Sequence, residues 1–382
     1  MSPATLLLAG GGTGGHVYPM IAVADALRAA APDVRLVFVG TRRGIETRVV
    51  PERGYELELV DVLPLRGGGL GGGWRGALRA CAALPESSAI LRRFEPRAVL
   101  SIGGYAAGPL TLAARLRRVP VALMEPNARI GLANRLIAPL VQRAYTAFPD
   151  PEPCFRARTV LRAGVPIRAG FEPRPYQYGA ERLRLLVLGG SQGAAFLNEQ
   201  LPLAVALLQT PLEIVHQAGQ GRELEVRARY GARPDITVVP FLDDMPAALA
   251  AADLVVGRAG ASAVAELCAV GRPSLLVPYP YAAADHQLYN ARSVERAGGA
   301  LCLVQPDATP ARIASEIDRL ASTRGLLARM AESALSLGHP EAAATIARDL
   351  LELGGVVAAD ADLAQPSAPT DDGVRWHLGE VC

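Results

Sequence analysis

The chain has 382 residues, 39 basic and 37 acidic side chains for a net charge of +2, and half of its residues are apolar. Every basic residue is arginine, which excludes lysine Schiff bases, lysine-anchored pyridoxal phosphate and the P-loop lysine. The near balance of charge excludes a chain devoted to nucleic acid, and the length predicts two domains, each with its own core.

Arginine stays protonated in proteins, so none of these cations is a candidate general base. Cys81, Cys154, Cys268, Cys302 and Cys382 form no C-x-x-C pair, and their odd, scattered count predicts reduced thiols in the cytoplasm. The N-terminus lacks the basic region of a signal peptide. No run approaches the roughly 18–20 apolar residues that span a bilayer.

In chain order, a short apolar strand at Thr5–Ala9 stops at Gly10-Gly11-Gly12-Thr13-Gly14-Gly15-His16. A helical pattern follows, with Ile21, Ala24, Ala26 and Leu27 on one face, until Pro32 breaks it. Val34–Val39 is the next strand, and the alternation recurs at Ala98–Ile102, Val119–Met124 and Arg143–Phe148. Continuous apolar strands alternating with helices predict parallel βαβ units. Prolines 149, 151, 153, 173 and 175 punctuate the middle of the chain, and a domain boundary is placed near Gly164.

A second start follows at Leu183–Leu188 with Gly189-Gly190-Ser191-Gln192-Gly193-Ala194, then strands at Glu213–His216, Ile236–Val239, Leu254–Val256 and Ser274–Val277. Two doubly wound modules in tandem are therefore expected. From about Val356 the composition changes to small and acidic residues with two prolines, which predicts a disordered tail.

A glycine turn between strand and helix lets backbone N–H groups and the helix dipole approach a phosphate. Gly10-x-Gly12-x-x-Gly15 fits the dinucleotide fingerprint, but glycine also follows strands for steric reasons alone. The second strand ends Gly40-Thr41-Arg42-Arg43 without the acidic residue of an NAD site, so two arginines facing a 2′-phosphate keep an NADP enzyme open. His16 opens the helix where strand ends converge, and imidazole is the side chain suited to proton transfer near neutral pH. In the second half, Gly257–Glu266 offers small residues at another helix start and a carboxylate suited to ribose hydroxyls. Asp285-His286-Gln287 follows the turn Pro278-Tyr279-Pro280-Tyr281.

Gly11-Gly12-Thr13-Gly14-Gly15-His16, Gly103-Gly104-Tyr105, Gly189–Ala194, Gly257–Glu266, Asp285-His286-Gln287 and Asn290 occur in that order. Together they resemble the MurG family of glycosyltransferase family 28, UDP-N-acetylglucosamine:lipid I N-acetylglucosaminyltransferases, from about Leu6 to Leu350. The resemblance implies a GT-B α/β fold, two Rossmann-like doubly wound parallel-sheet domains facing a central cleft. Residues 1–163 would form the acceptor and membrane side, completed by a helix at about 338–354. Residues 164–337 would bind UDP-GlcNAc, leaving 355–382 as the tail. Met124-Glu125-Pro126-Asn127 stands where the family reads His-Glu-Gln-Asn, and Gly164-Val165-Pro166 where it reads Gly-Asn-Pro.

Carried over by position, the resemblance assigns the donor diphosphate to Ser191 and the helix start at Ala261, Ser262, Ala263, Val264 and Ala265. It assigns the ribose to Glu266, the uracil to the backbone of Leu242 and the sugar to Gln287. Thr13, Gly14, Gly15 and Asn127 would complete the donor site, and Arg168 corresponds to the family's interdomain arginine. GlcNAc would move with inversion to the C4 hydroxyl of the undecaprenyl-linked acceptor lipid I, with His16 as general base and Glu125 as runner-up. No metal and no cofactor are expected. Other cell-wall synthesis proteins are expected partners, and nucleic acid is not.

The lipid acceptor implies peripheral binding at the cytoplasmic side of the inner membrane. The candidate face is Leu63–Arg97, where Leu65, Leu70, Trp74 and Leu78 interleave with arginines 66, 75, 79, 92, 93 and 97 for a segment charge of +4. Two alternatives stand beside this reading: another GT-B sugar-nucleotide enzyme, an epimerase or natural-product glycosyltransferase, and an NADP-dependent oxidoreductase.

Overall fold

The computed structural model describes residues 3–61, 83–104, 107–157, 159–177, 181–190, 193–323 and 325–357. It divides into two compact units, Met1–Ala169 with Glu341–Cys382, and Gly170–Pro340.

The first unit runs β1 (Thr5–Gly10), α1 (Gly14–Ala30), β2 (Arg35–Thr41), α2 (Glu46–Glu52), β3 (Glu56–Val60), α3 (Leu84–Phe94), β4 (Ala98–Gly103), α4 (Ala107–Leu116), β5 (Val121–Glu125), α5 (Leu132–Ile137), β6 (Arg143–Thr146) and β7 (Thr159–Arg162). These strands form one parallel sheet in the order β3-β2-β1-β4-β5-β6-β7. All residues of β1, β4 and β5 are buried, as expected for parallel strands covered on both faces. On one face Leu7, Val37, Val99 and Leu123 pack with Ile90, Phe94 and Leu110 of the helices.

The second unit runs β8 (Leu183–Leu188), α6 (Ala195–Val205), β9 (Leu212–Gln217), α7 (Glu223–Tyr230), β10 (Ile236–Val239), α8 (Met245–Ala251), β11 (Leu254–Gly257), α9 (Ala261–Val270), β12 (Ser274–Leu276), α10 (His286–Arg296), β13 (Ala300–Cys302), α11 (Pro310–Ser322) and α12 (Leu326–Ser336). Its parallel sheet has the order β10-β9-β8-β11-β12-β13. His216 on β9 is wholly buried, with Nδ1 2.9 Å from the Tyr230 hydroxyl and Nε2 3.1 Å from Asn198 Oδ1. Burial pushes its pKa down to about 4.

The last described helix, α13 (Ala342–Leu353), belongs to the first unit and packs on α1. Asp349 accepts from the Tyr145 hydroxyl at 2.6 Å and pairs with Arg143 at 3.3 Å, tying the helix to β6.

In each sheet the order reverses direction at one place, between β1 and β4 and between β8 and β11. Doubly wound sheets hold ligands at such switch points. Both glycine turns lie there.

One expectation is corrected: Cys154 is disulfide-bonded, whereas Cys268 and Cys302 are free and buried. Burial pushes the Cys268 and Cys302 thiols up to about 12 and about 11, so neither is a reactive thiolate.

Candidate active site

At the first switch point, Gly103 and Gly104 at the end of β4 have φ values of 97° and 88°, where only glycine is unstrained. A Cβ on Gly104 would sit 2.8 Å from the Gly11 carbonyl oxygen, so the two glycine turns approach backbone to backbone. Thr13 ends the loop as the α1 N-cap, with an extended backbone and no side-chain cap bond. The amides of Gly14 and Gly15 therefore begin the helix without intrahelical acceptors. His16 is half-buried, and its Nδ1 lies 3.1 Å from the Gly11 carbonyl.

The adjoining segment after β5 is organised by Glu125, which is 1% exposed. Its Oε1 accepts from the backbone and side-chain amides of Asn127, both at 3.1 Å. Oε2 accepts from Gly131 N–H at 3.1 Å and Asn134 Nδ2 at 2.9 Å. Burial raises its pKa against the opposing effect of these four donors. A carboxylate so engaged ties together residues 127, 131 and 134 of the segment after β5. Asn134 also donates to the Met124 carbonyl at 3.2 Å and lies against Gly103.

No acidic residue stands at the end of β2, where a ribose-binding carboxylate would be expected. The structure supplies one five residues later: Glu46 is wholly buried and accepts from Gly12 N–H at 2.9 Å. That amide is therefore committed to the protein, which removes a donor an NADP pyrophosphate would need and weighs against the oxidoreductase. The detectable signal was the glycine pair Gly40 and Gly44 flanking a turn that leads into an acidic helix start.

At the second switch point, Gly189 packs against the Ala194 amide and the Gln217 carbonyl, and Gly193 (φ 74°) sits against Ala218. Ser191 lies outside the described residues, as do Gln192 and Tyr105. Ala259 is clamped from α10: its N–H donates to Gln287 Oε1 at 3.2 Å, and its carbonyl accepts from Asn290 Nδ2 at 3.1 Å. Gln287 Oε1 also accepts Tyr279 N–H at 3.0 Å, which leaves the Nε2 donors as the end suited to a ligand. Arg258 donates to the Val277 and Pro278 carbonyls and to Gln305. Gly260 caps α9 without a side-chain bond, so the amides of Ala261, Ser262 and Ala263 lack intrahelical acceptors. Val264 is buried, while Ser262, Ala263, Ala265 and Glu266 are half-buried. Helix-start amides left in this way are suited to an anion.

Leu242 is half-buried in the loop after β10, and Arg168 is exposed at the end of the first unit. Ala284 and Asp285, just before α10, both adopt left-handed backbone, with φ of 52° and 54°. Strain of this kind concentrates at functional loops. Among the described residues no cluster of side chains suits a metal ion, and no helix is long and apolar enough to cross a membrane. Of the expected membrane face, α3 buries Ile90, Leu91 and Phe94 in the core and exposes Arg92 and Arg93. Leu65, Leu70, Trp74, Leu78 and arginines 66, 75 and 79 lie outside the described residues, as does the tail from 358.

Comparison with known proteins bears directly on this pair of sites. The glycosyltransferase family 28 N-terminal domain matches residues 6–146 and the C-terminal domain matches 184–346. A protein of Sorangium cellulosum named UDP-N-acetylglucosamine--N-acetylmuramyl-(pentapeptide) pyrophosphoryl-undecaprenol N-acetylglucosamine transferase is 57% identical over 91% of this chain and 88% of its own length. The chain belongs to the MurG family of glycosyltransferase family 28. A protein with the same name from Syntrophotalea carbinolica is 43% identical over 90% of this chain and 97% of its own. The crystal structure of Acinetobacter baumannii MurG superposes with a TM-score of 0.80 at 31% identity, covering 92% of this chain and all of that one. The fold is accordingly GT-B. The calicheamicin glycosyltransferase CalG4, at 19% identity and a TM-score of 0.65, shares the fold alone.

Proposed function

We propose that this family member moves GlcNAc from UDP-GlcNAc to the C4 hydroxyl of MurNAc in undecaprenyl-diphospho-MurNAc-pentapeptide, lipid I, giving lipid II for peptidoglycan synthesis. The observation that carries this reading is the 57% identity over 91% of the chain, with both glycine turns inside the matched family domains. Relatives at 14–19% identity, including natural-product glycosyltransferases and an epimerase, support the fold without favouring their own reactions.

The second unit holds the donor. The α9 amides of Ala261, Ser262 and Ala263, with Val264 and Ala265 behind them and Ser191 on the other glycine turn, take the diphosphate. Glu266 takes the ribose hydroxyls, Leu242 borders the uracil, and Gln287 Nε2 reaches the sugar. Thr13, Gly14, Gly15 and Asn127 present further polar groups to the donor, and Arg168 offers positive charge to the departing diphosphate.

In the reaction the acceptor O4 attacks the anomeric carbon, the bond from that carbon to the diphosphate oxygen breaks, and its electron pair leaves with UDP. His16 Nε2 receives the hydroxyl proton. Fixed amides facing charge that grows on the leaving group are a large catalytic contribution. Glu125 is assigned to shaping the loop that carries Asn127.

The test is transfer of radiolabelled GlcNAc from UDP-GlcNAc to lipid I. Label in a lipid-extractable product dependent on lipid I supports the reading, and donor hydrolysis or epimerisation without transfer overturns it.

The undecaprenyl acceptor also requires contact with a membrane surface, and the basic segment Leu63–Arg97 is the candidate. Binding to anionic vesicles that weakens with salt and with the paired changes Trp74→Ala and Arg75→Glu is expected. Equal binding by the double variant removes that surface.

A further inference from the structure

A wholly buried carboxylate is costly, and Glu46 has no part in the chemistry above. It is housed by three glycines: a Cβ on Gly11, Gly40 or Gly44 would overlap its side chain. Oε1 accepts from Thr41 N–H at 2.9 Å and from the Thr41 hydroxyl at 3.0 Å. Oε2 accepts from Gly12 N–H at 2.9 Å.

Gly12 N–H and Gly11 C=O are the two ends of one peptide. The other end faces His16 Nδ1 at 3.1 Å. A carbonyl oxygen only accepts, so Nδ1 carries the proton and Nε2 the lone pair, which is the tautomer a base requires. We propose that Glu46 is a positioning residue for His16, acting through the Gly11–Gly12 peptide. The carboxylate at the N–H end polarises the peptide and strengthens its carbonyl as an acceptor. It thereby fixes the imidazole's tautomer and orientation and stabilises the imidazolium as the proton arrives. A carboxylate bonded directly to a catalytic imidazole does the same in hydrolase triads; here one peptide stands between them.

The kinetic consequence rests on His16 being the base, whereas the linkage itself does not. The experiment therefore reads both in the full chain. Titration of ¹⁵N-labelled histidine reports the His16 tautomer and midpoint, and single-turnover transfer reports the chemical step.

Wild type is expected to hold His16 as the Nδ1–H tautomer; an Nε2–H tautomer in the folded enzyme overturns the proposal outright. Glu46→Gln is expected to lower the His16 midpoint by about half a unit or more, because a nearby negative charge is lost. The rate of transfer should fall about 10–100-fold, by analogy with the loss of the outer hydrogen-bond partner of a metal-bound histidine. The KM for UDP-GlcNAc should change far less.

Should Glu46→Gln fail to fold, Gly44→Ala serves. Gly44 does not need positive φ, and its new methyl would push the carboxylate aside without touching the glycine turn or the charge. It should move the His16 tautomer and midpoint in the same direction. An unchanged His16 signal in either folded variant overturns the proposal. A shifted signal with an unchanged transfer rate supports the linkage and overturns His16 as the base.

Discussion

The two switch points use the same strand, glycine turn and helix for different ends. In the first unit the turn spends an amide on an internal carboxylate, Glu46, and presents an imidazole at the helix start. In the second, the β11–α9 turn is clamped by Gln287 and Asn290 and by its own Arg258 reaching the Val277 carbonyl, and the helix start presents small side chains and bare amides. The first arrangement suits moving a proton and the second suits holding an anion. Glycine turns alone do not distinguish the two. The side chains that brace the turn decide which amides remain for a ligand.

The largest expected effect breaks that division in the first unit. His16→Ala should lower kcat about 10²–10⁴-fold, the usual contribution of a general base, and leave UDP-GlcNAc affinity nearly unchanged in calorimetry. A loss confined to affinity would mean that His16 binds substrate rather than taking the proton.

Acid should act on the second unit through His216. Its folded pKa of about 4 lies below the unfolded value, so the unfolded chain binds the extra proton. The associated stability is fully present above about pH 6.5 and is lost as pH falls towards 4, on the order of 3 kcal/mol. Hydrogen exchange between pH 7 and 4.5 should show β9 losing protection, and His216→Gln should flatten that slope. An equal slope in the variant would assign the effect to other groups.

Glu266→Ala should weaken UDP binding about 10–100-fold, as expected for hydrogen bonds to a charged group, with little change in the chemical step at saturating donor. A fall in single-turnover rate instead would place Glu266 in the chemistry. The smallest effect is at the strained loop. Ala284→Gly should raise unfolding stability by up to about 1 kcal/mol, since glycine adopts left-handed backbone without a Cβ penalty. A lowered stability would show that Ala284 packing outweighs the strain.

Much of this was legible in the residues. Apolar runs at Thr5–Ala9 and Leu183–Leu188 read as buried parallel strands because both sheets are covered on both faces, and the turns after them announced two switch points. Gln287 and Asn290, one helical turn apart, were visible as a motif. Their joint grip on Ala259 was not, because it depends on how α10 meets the β11 loop. Glu46 and Asn134 escaped for a related reason. Glu46 meets Gly12 and Asn134 lies against Gly103, each distant in sequence, and neither spacing nor periodicity encodes such a contact. The four donors around Glu125 were equally invisible, because they come from a loop and a helix start whose path past the strand end the spacing does not encode.

The most direct test of the division of labour is single-turnover transfer of labelled GlcNAc to lipid I by wild type and His16→Ala, each loaded with saturating UDP-GlcNAc. The account predicts that both bind donor alike and that the variant transfers about 10²–10⁴ times more slowly, with the deficit shrinking as pH rises and the acceptor hydroxyl ionises more readily without a base. Transfer by the variant at the wild-type rate would contradict it.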